Sequence, residues 1–191
     1  SHSALNMFSE YSMLNPREMA EFFGFTEKEV QELCSKYDRS FEETKAWYNG
    51  YELSVVEAQK LKVYAMYNPK SVVDAMLSGV FDNYWNQTET YEALKAYICM
   101  NFDGLKDSVI KILAGDRVQI NTGTFSNDMT SFQSRDDILT LLVHLGYLSY
   151  HWPDKIVAIP NKEVSQEYVN AISTMDWNEV IHSVEASRKL L

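Results

Sequence analysis

The sequence predicts a mainly α fold with a small β component, and three observations carry that prediction. Cap signals open several short helices: Thr26 with Glu29, Ser40 with Glu43, and Asn68 followed by Pro69. Apolar residues recur at helical spacing, as in Val30, Leu33, Cys34 and Tyr37 and again in Ile138, Leu141, Leu142 and Leu145. Residues 134–167 then read as helix, hairpin, helix, because two short β-prone runs flank Trp152-Pro153-Asp154 between helix signals. That order is the outline of a winged-helix-like module. The expected organisation is a helical bundle over residues 1–130 and a winged-helix-like module with a C-terminal helix over residues 131–191.

Taken in order, Asn15-Pro16 reads as an N-cap and first helical residue, and Gly24 as a stop, so residues 16–23 predict a short helix. Thr26 to Glu29 forms a capping box for the next helix, and Ser40 to Glu43 a second one for a helix ending near Gly50. Residues 51–66, with Val55, Val56, Leu61 and Val63, predict a helix or an irregular loop with a short strand. Asn68-Pro69 starts a helix with Val72, Val73 and Met76 on its inner face, closed by Gly79. Residues 81–85 form an aromatic knot expected in the core. Residues 91–100 and 105–113 predict two more helices, residues 117–121 alternate as a strand, and residues 122–133 make a polar loop. Ser134 with Asp137 caps the helix that Gly146 stops; Pro160 and Asn161 then introduce a helix over 162–173.

At 191 residues, 46% hydrophobic and 13% aromatic, the chain has the composition of a packed globular protein rather than a disordered one. A formal charge of −10, with no Lys/Arg run longer than two, disfavours non-specific binding to nucleic acid or to an anionic membrane. No apolar run approaches the length of a membrane span, and no leader is evident, so a cytoplasmic protein is expected. Cys34 and Cys99 read as two buried free thiols. Ser1-His2 reads as a cloning remnant, and the chain stops within a helical pattern at Leu190-Leu191, as a fragment of a longer protein would.

Catalytic chemistry is sparse. No Gly is followed by Lys, so the loop that cradles nucleotide phosphates is missing; there is no dinucleotide fingerprint and no Cys-x-x-Cys. His2, His144, His151 and His182 lack zinc-ligand spacing. Asp136 and Asp137 form a paired-carboxylate candidate, although acids in a first helical turn serve as caps. His144 reads as a core or boundary residue rather than a base, for want of a nearby nucleophile. Arg117 and Arg135 suit ion pairs or a phosphate supplied by another domain. Trp47-Tyr48 and Tyr84-Trp85 lack the basic neighbours of base-stacking surfaces, so core packing is expected.

Several runs in order carry a resemblance: Phe8-Ser9-Glu10-Tyr11-Ser12-Met13, Gly24-Phe25-Thr26-Glu27-Lys28-Glu29-Val30, Trp47-Tyr48-Asn49-Gly50-Tyr51, Tyr67-Asn68-Pro69-Lys70-Ser71 and Ile159-Pro160-Asn161-Lys162-Glu163-Val164. Together they resemble the bacterial AAA-ATPase-like family, in which a P-loop ATPase core precedes a restriction-like nuclease domain. The resemblance implies that this chain is the segment between those parts, a helical lid followed by the winged-helix-like unit. Ser54 departs from the pattern, since relatives often place Gly there. The implied role is a non-catalytic regulatory and interaction segment, the parent protein being the ATPase that binds ATP and Mg. Its partners would be the ATPase core and the nuclease-like domain, with self-association through uncovered apolar surface. The alternative is a winged helix docking the nuclease on DNA. Related ATPases touch adenine through a Gly-x-Pro-like turn, and Asn68-Pro69 is the matching candidate for nucleotide contact. No metal ligand is expected in this chain.

Overall fold

The computed structural model describes residues 12–85, 90–100, 102–125, 132–173 and 177. Phe8 to Tyr11 of the first resemblance run, residues 126–131 of the polar loop and the Leu190-Leu191 end lie outside them. The order is a 3-10 helix (Arg17–Phe22), β1 (Phe25–Thr26), α1 (Glu27–Tyr37), α2 (Phe41–Tyr48), β2 (Tyr51–Glu57), β3 (Lys60–Tyr67), α3 (Pro69–Ser78), α4 (Thr90–Ile98), α5 (Leu105–Leu113), β4 (Val118–Gln119), a 3-10 turn (Thr122–Thr124), α6 (Arg135–His144), β5 (Ser149–His151), β6 (Ile156–Ala158) and α7 (Lys162–Ser173).

Helix takes about 51% of the described residues and strand about 18%, in two antiparallel three-stranded sheets. This corrects the expectation of a mainly helical bundle followed by a winged-helix-like module: the fold is mixed α/β. The first source of the difference is residues 51–66, which form the long hairpin β2–β3 with Tyr51 opposite Met66 and Glu57 opposite Lys60. Its turn places Ala58 and Gln59 at φ of 47° and 64°, a left-handed pair normally built from Asn and Gly. No glycine marked it. β1 joins the free edge of β3, giving the order β1-β3-β2. The second source is β4, whose Val118 lies opposite Val157, so β6 becomes the central strand of β4-β6-β5 rather than one arm of a free hairpin.

Cap chemistry accounts for the helices. Thr26 and Glu29 complete a reciprocal capping box on α1, as do Ser134 and Asp137 on α6. At α2 only the forward half forms, with Ser40 Oγ accepting from the Glu43 amide. The segment after Asn15-Pro16 is a 3-10 helix with Pro16 at the cap and no side-chain cap bond, rather than an Asn-capped α-helix.

Three apolar clusters fill the interior. The largest joins α4, α5, α6, α7 and the second sheet, so its packing runs across position 130. At its centre α6 is buried from Asp137 through Val143, not along one stripe, as a helix covered on every side must be. A second cluster lies among α1, α2 and α3, and a third under the Tyr51, Leu53, Val55 and Met66 face of the hairpin. Two segments far apart in the sequence meet at one corner. Gly50, at φ +136°, lies so close to Pro160 that a Cβ there would fall 1.6 Å from the proline carbonyl oxygen. Beside it the Tyr51 hydroxyl donates to the Gly146 carbonyl at 2.7 Å.

Candidate functional site

The Asn68-Pro69 turn sits where β3 passes into α3. Asn68 Oδ1 accepts from the Lys70 amide at 2.9 Å and the Ser71 amide at 3.4 Å, so this side chain caps its own helix. Pro69 takes the first helical position, where its missing N–H costs nothing. Both residues line a mostly apolar cavity of about 170 Å³ whose walls include Tyr51, Met66, Tyr67 and Trp85. Sites that enclose a whole drug-sized ligand run to roughly 300–1,000 Å³. This one has room for a single flat ring. Burial pushes the Tyr67 phenol up to about 12, and holds that of Tyr51 higher still, so both walls are neutral.

Trp85 reaches this cavity from the 81–85 segment, which α7 grips with two acids. Glu163 Oε1 accepts from the Tyr84 amide at 2.8 Å and the Trp85 amide at 3.0 Å. One turn on, Glu167 Oε1 accepts from Asn83 Nδ2. Both glutamates are fully buried, and among the described residues no cation pairs with either. Burial raises the Glu163 carboxyl above its ordinary range, outweighing the hydrogen bonds it receives, and the neighbouring Glu167 adds to the rise. Burial raises Glu167 likewise. Tyr48 secures the start of the same segment, its hydroxyl donating to the Asp82 carbonyl at 2.9 Å and accepting from the Asp82 amide at 3.2 Å. The Trp85 ring then packs at a 59° tilt to Tyr147, centroids 5.8 Å apart, and lies against Gly146.

The other candidates are scattered. Asp136 accepts from the Asn121 amide and pairs with Arg135, while Asp137 is buried as the α6 cap. The two do not form a shared acid site. Arg135 also reaches Ser108 Oγ and the Gln119 carbonyl, which ties α6 to α5 and β4. His144 stacks on Phe125 with centroids 5.3 Å apart. Arg117 lines a separate small cavity with His151 and Glu52. Trp47 is half-buried and carries the Lys162 ammonium 3.9 Å above its ring. Cys34 is buried as expected but Cys99 is exposed, and the two are not joined in a disulfide. Among the described residues no cluster of three metal-ligating side chains occurs, and no helix is long and apolar enough to cross a membrane.

Searches with protein-family models, among curated proteins and among solved structures found no match to this chain. Sequence reasoning missed Glu163 and Glu167. An acid in the first turn of a helix reads as a partner of the helix dipole, and nothing in the local pattern shows that a distant aromatic segment covers it. The four-residue spacing of the two glutamates was the only available signal.

Proposed function

We propose that this chain is a non-catalytic regulatory and interaction segment of a larger AAA-type ATPase, with the Asn68-Pro69 turn contributing to nucleotide binding there. The observation that supports it is the cavity at that turn, sized for one ring and walled by apolar and aromatic side chains. The chain offers no loop for phosphates, so ATP and Mg would be held by the ATPase core, with this turn meeting the base. The core and a nuclease-like domain are the partners in this reading, and the cytoplasm is its setting. A DNA-docking role is disfavoured, since α6 has no exposed reading face between Asp137 and Val143 and the net charge is −10.

The test has two arms. Calorimetric titration of the 191-residue chain with Mg·ATP should show no micromolar binding. In the protein carrying its ATPase core, Pro69→Ala should weaken nucleotide affinity by about tenfold, equivalent to ~1.4 kcal/mol, while the melting temperature stays within about 1–2 °C. An unchanged affinity rules out contact at this turn.

A further inference from the structure

We propose that Glu163 and Glu167 form a latch that positions Trp85 as the wall of the cavity beside Asn68 and Pro69, so that binding of a flat heteroaromatic ring depends on the ionisation state of Glu163. The ligand class rests on the reading of that cavity given above; the latch itself rests on independent geometry.

Three contacts define it. The Glu163 carboxylate gathers two successive amides, those of Tyr84 and Trp85, at 2.8 and 3.0 Å, which fixes the backbone direction at the indole. Glu167 holds the preceding Asn83 side chain. Gly146 receives the far edge of the ring: a Cβ there would stand 2.9 Å from Trp85 Cη2. The indole is therefore held from its backbone by α7 and stopped by the backbone of residue 146, with the cavity on its remaining side.

The latch contains two acids at adjacent turns of one helix, and among the described residues no cation pairs with either. The groups facing Glu163 are Glu167 on its own helix, Tyr48 at the end of α2, Tyr51 in β2, and Tyr84 in the segment itself. Ser71 approaches from α3. The Lys70 ammonium is engaged by Asp74 at 2.7 Å and by the Tyr84 carbonyl at 3.3 Å, and that of Lys162 lies over the Trp47 ring. A protonated Glu163 keeps its bonds to both amides through Oε1 without a buried charge. As pH rises and Glu163 ionises, two carboxylates share one dry space, and release of the 81–85 segment to water relieves them. The latch is closed at low pH and loosens as pH rises.

Heteronuclear NMR of the isotope-labelled chain tests it, with the Trp85 amide and indole signals assigned through Trp85→Phe and adenine as the probe. In the native chain both signals should move as pH rises above about 4.5, the ordinary glutamate value. Adenine should bind about tenfold more weakly at the upper end of the transition. Glu163→Gln, which keeps the acceptor and cannot ionise, should hold both signals at their low-pH positions throughout. Glu163→Ala should displace them at every pH. Trp85 signals that titrate in Glu163→Gln as they do in the native chain would overturn the latch, as would signals indifferent to pH in both. If the signals follow Glu163 but adenine binds no form of the chain, the latch stands and the nucleotide reading falls. If Glu163→Ala does not fold, the comparison of native chain with Glu163→Gln decides the matter alone.

Discussion

Removing the Asp137 carboxylate should show how much one buried cap supports the central helix. Asp137 is 2% exposed, and its Oδ2 accepts from the Gln133 amide at 2.9 Å and the Ser134 amide at 3.1 Å. Its Oδ1 accepts from Thr124 Oγ1 at 2.9 Å. Asp137→Ala deletes all three bonds, and water can recover part of the loss because the donors are only partly covered. At about 1 kcal/mol for each bond, the cost is roughly 3 kcal/mol. For a chain of this size that corresponds to a melting temperature lower by about 6–12 °C. The sign with pH is also fixed. Burial alone would raise this carboxyl, but the bonds from Gln133, Thr124 and Ser134 prevail and hold it below its ordinary 3.8. Its charge therefore stabilises the fold above pH 3.8 and ceases to do so as pH falls through the depressed value. Thermal melts of the native chain, Asp137→Ala and Asp137→Asn between pH 3 and 7 measure both effects. The Asn variant should lag the native chain at neutral pH and approach it at the acid end. A loss under about 2 °C for Asp137→Ala, or a gap to Asn that widens in acid, would refute the account.

The latch glutamates should give the opposite trend. Their carboxyls are raised above 4.5 in the fold, so their contribution to stability is complete below pH 4.5 and lost as pH climbs. Glu163→Gln/Glu167→Gln should accordingly gain on the native chain with rising pH, and urea midpoints whose difference is the same at pH 5 and pH 8 would contradict this. Gly50→Ala should be among the most damaging single changes, costing more than about 4 kcal/mol or preventing folding, because its Cβ would overlap the Pro160 carbonyl. A denaturant midpoint near that of the native protein would show that the corner can open without cost.

The parts of this fold that were legible in the sequence are those written in local chemistry. Thr26 with Glu29, Ser134 with Asp137, and Asn68 with Pro69 and Gly79 announce α1, α6 and α3, and each cap forms. What escaped is what only distant residues decide. Val56, Leu61 and Val63 look like core positions, yet all three are exposed, because the opposite face of the hairpin is the one that the 3-10 helix covers. Ala58-Gln59 carries no turn signature, so the hairpin was hidden at its tip. Ser54 falls inside β2 opposite Val63, so that position is strand. At the site, the Asn68-Pro69 cap was readable, while the cavity beside it depends on Trp85, Gly146 and Glu163, separated by tens of residues.

The corner at Gly50 and Pro160 also bears on the order of folding. Beside it Asn161 Nδ2 donates to the Tyr48 carbonyl at 3.4 Å, a contact spanning 113 positions. Closing a chain loop of that length costs roughly 4 kcal/mol beyond a constant, by the (3/2)RT ln n dependence. The hairpins β2–β3 and β5–β6 need no such closure, since each joins strands adjacent in the chain. They are thus poised to form early as separate nuclei, and the corner can be made only once each has brought its own glycine or proline into place. Docking of the 48–51 corner onto 160–163 should then come late in folding. Burial raises the Glu163 and Glu167 carboxyls, so any step that buries them should run faster in mild acid than at neutral pH.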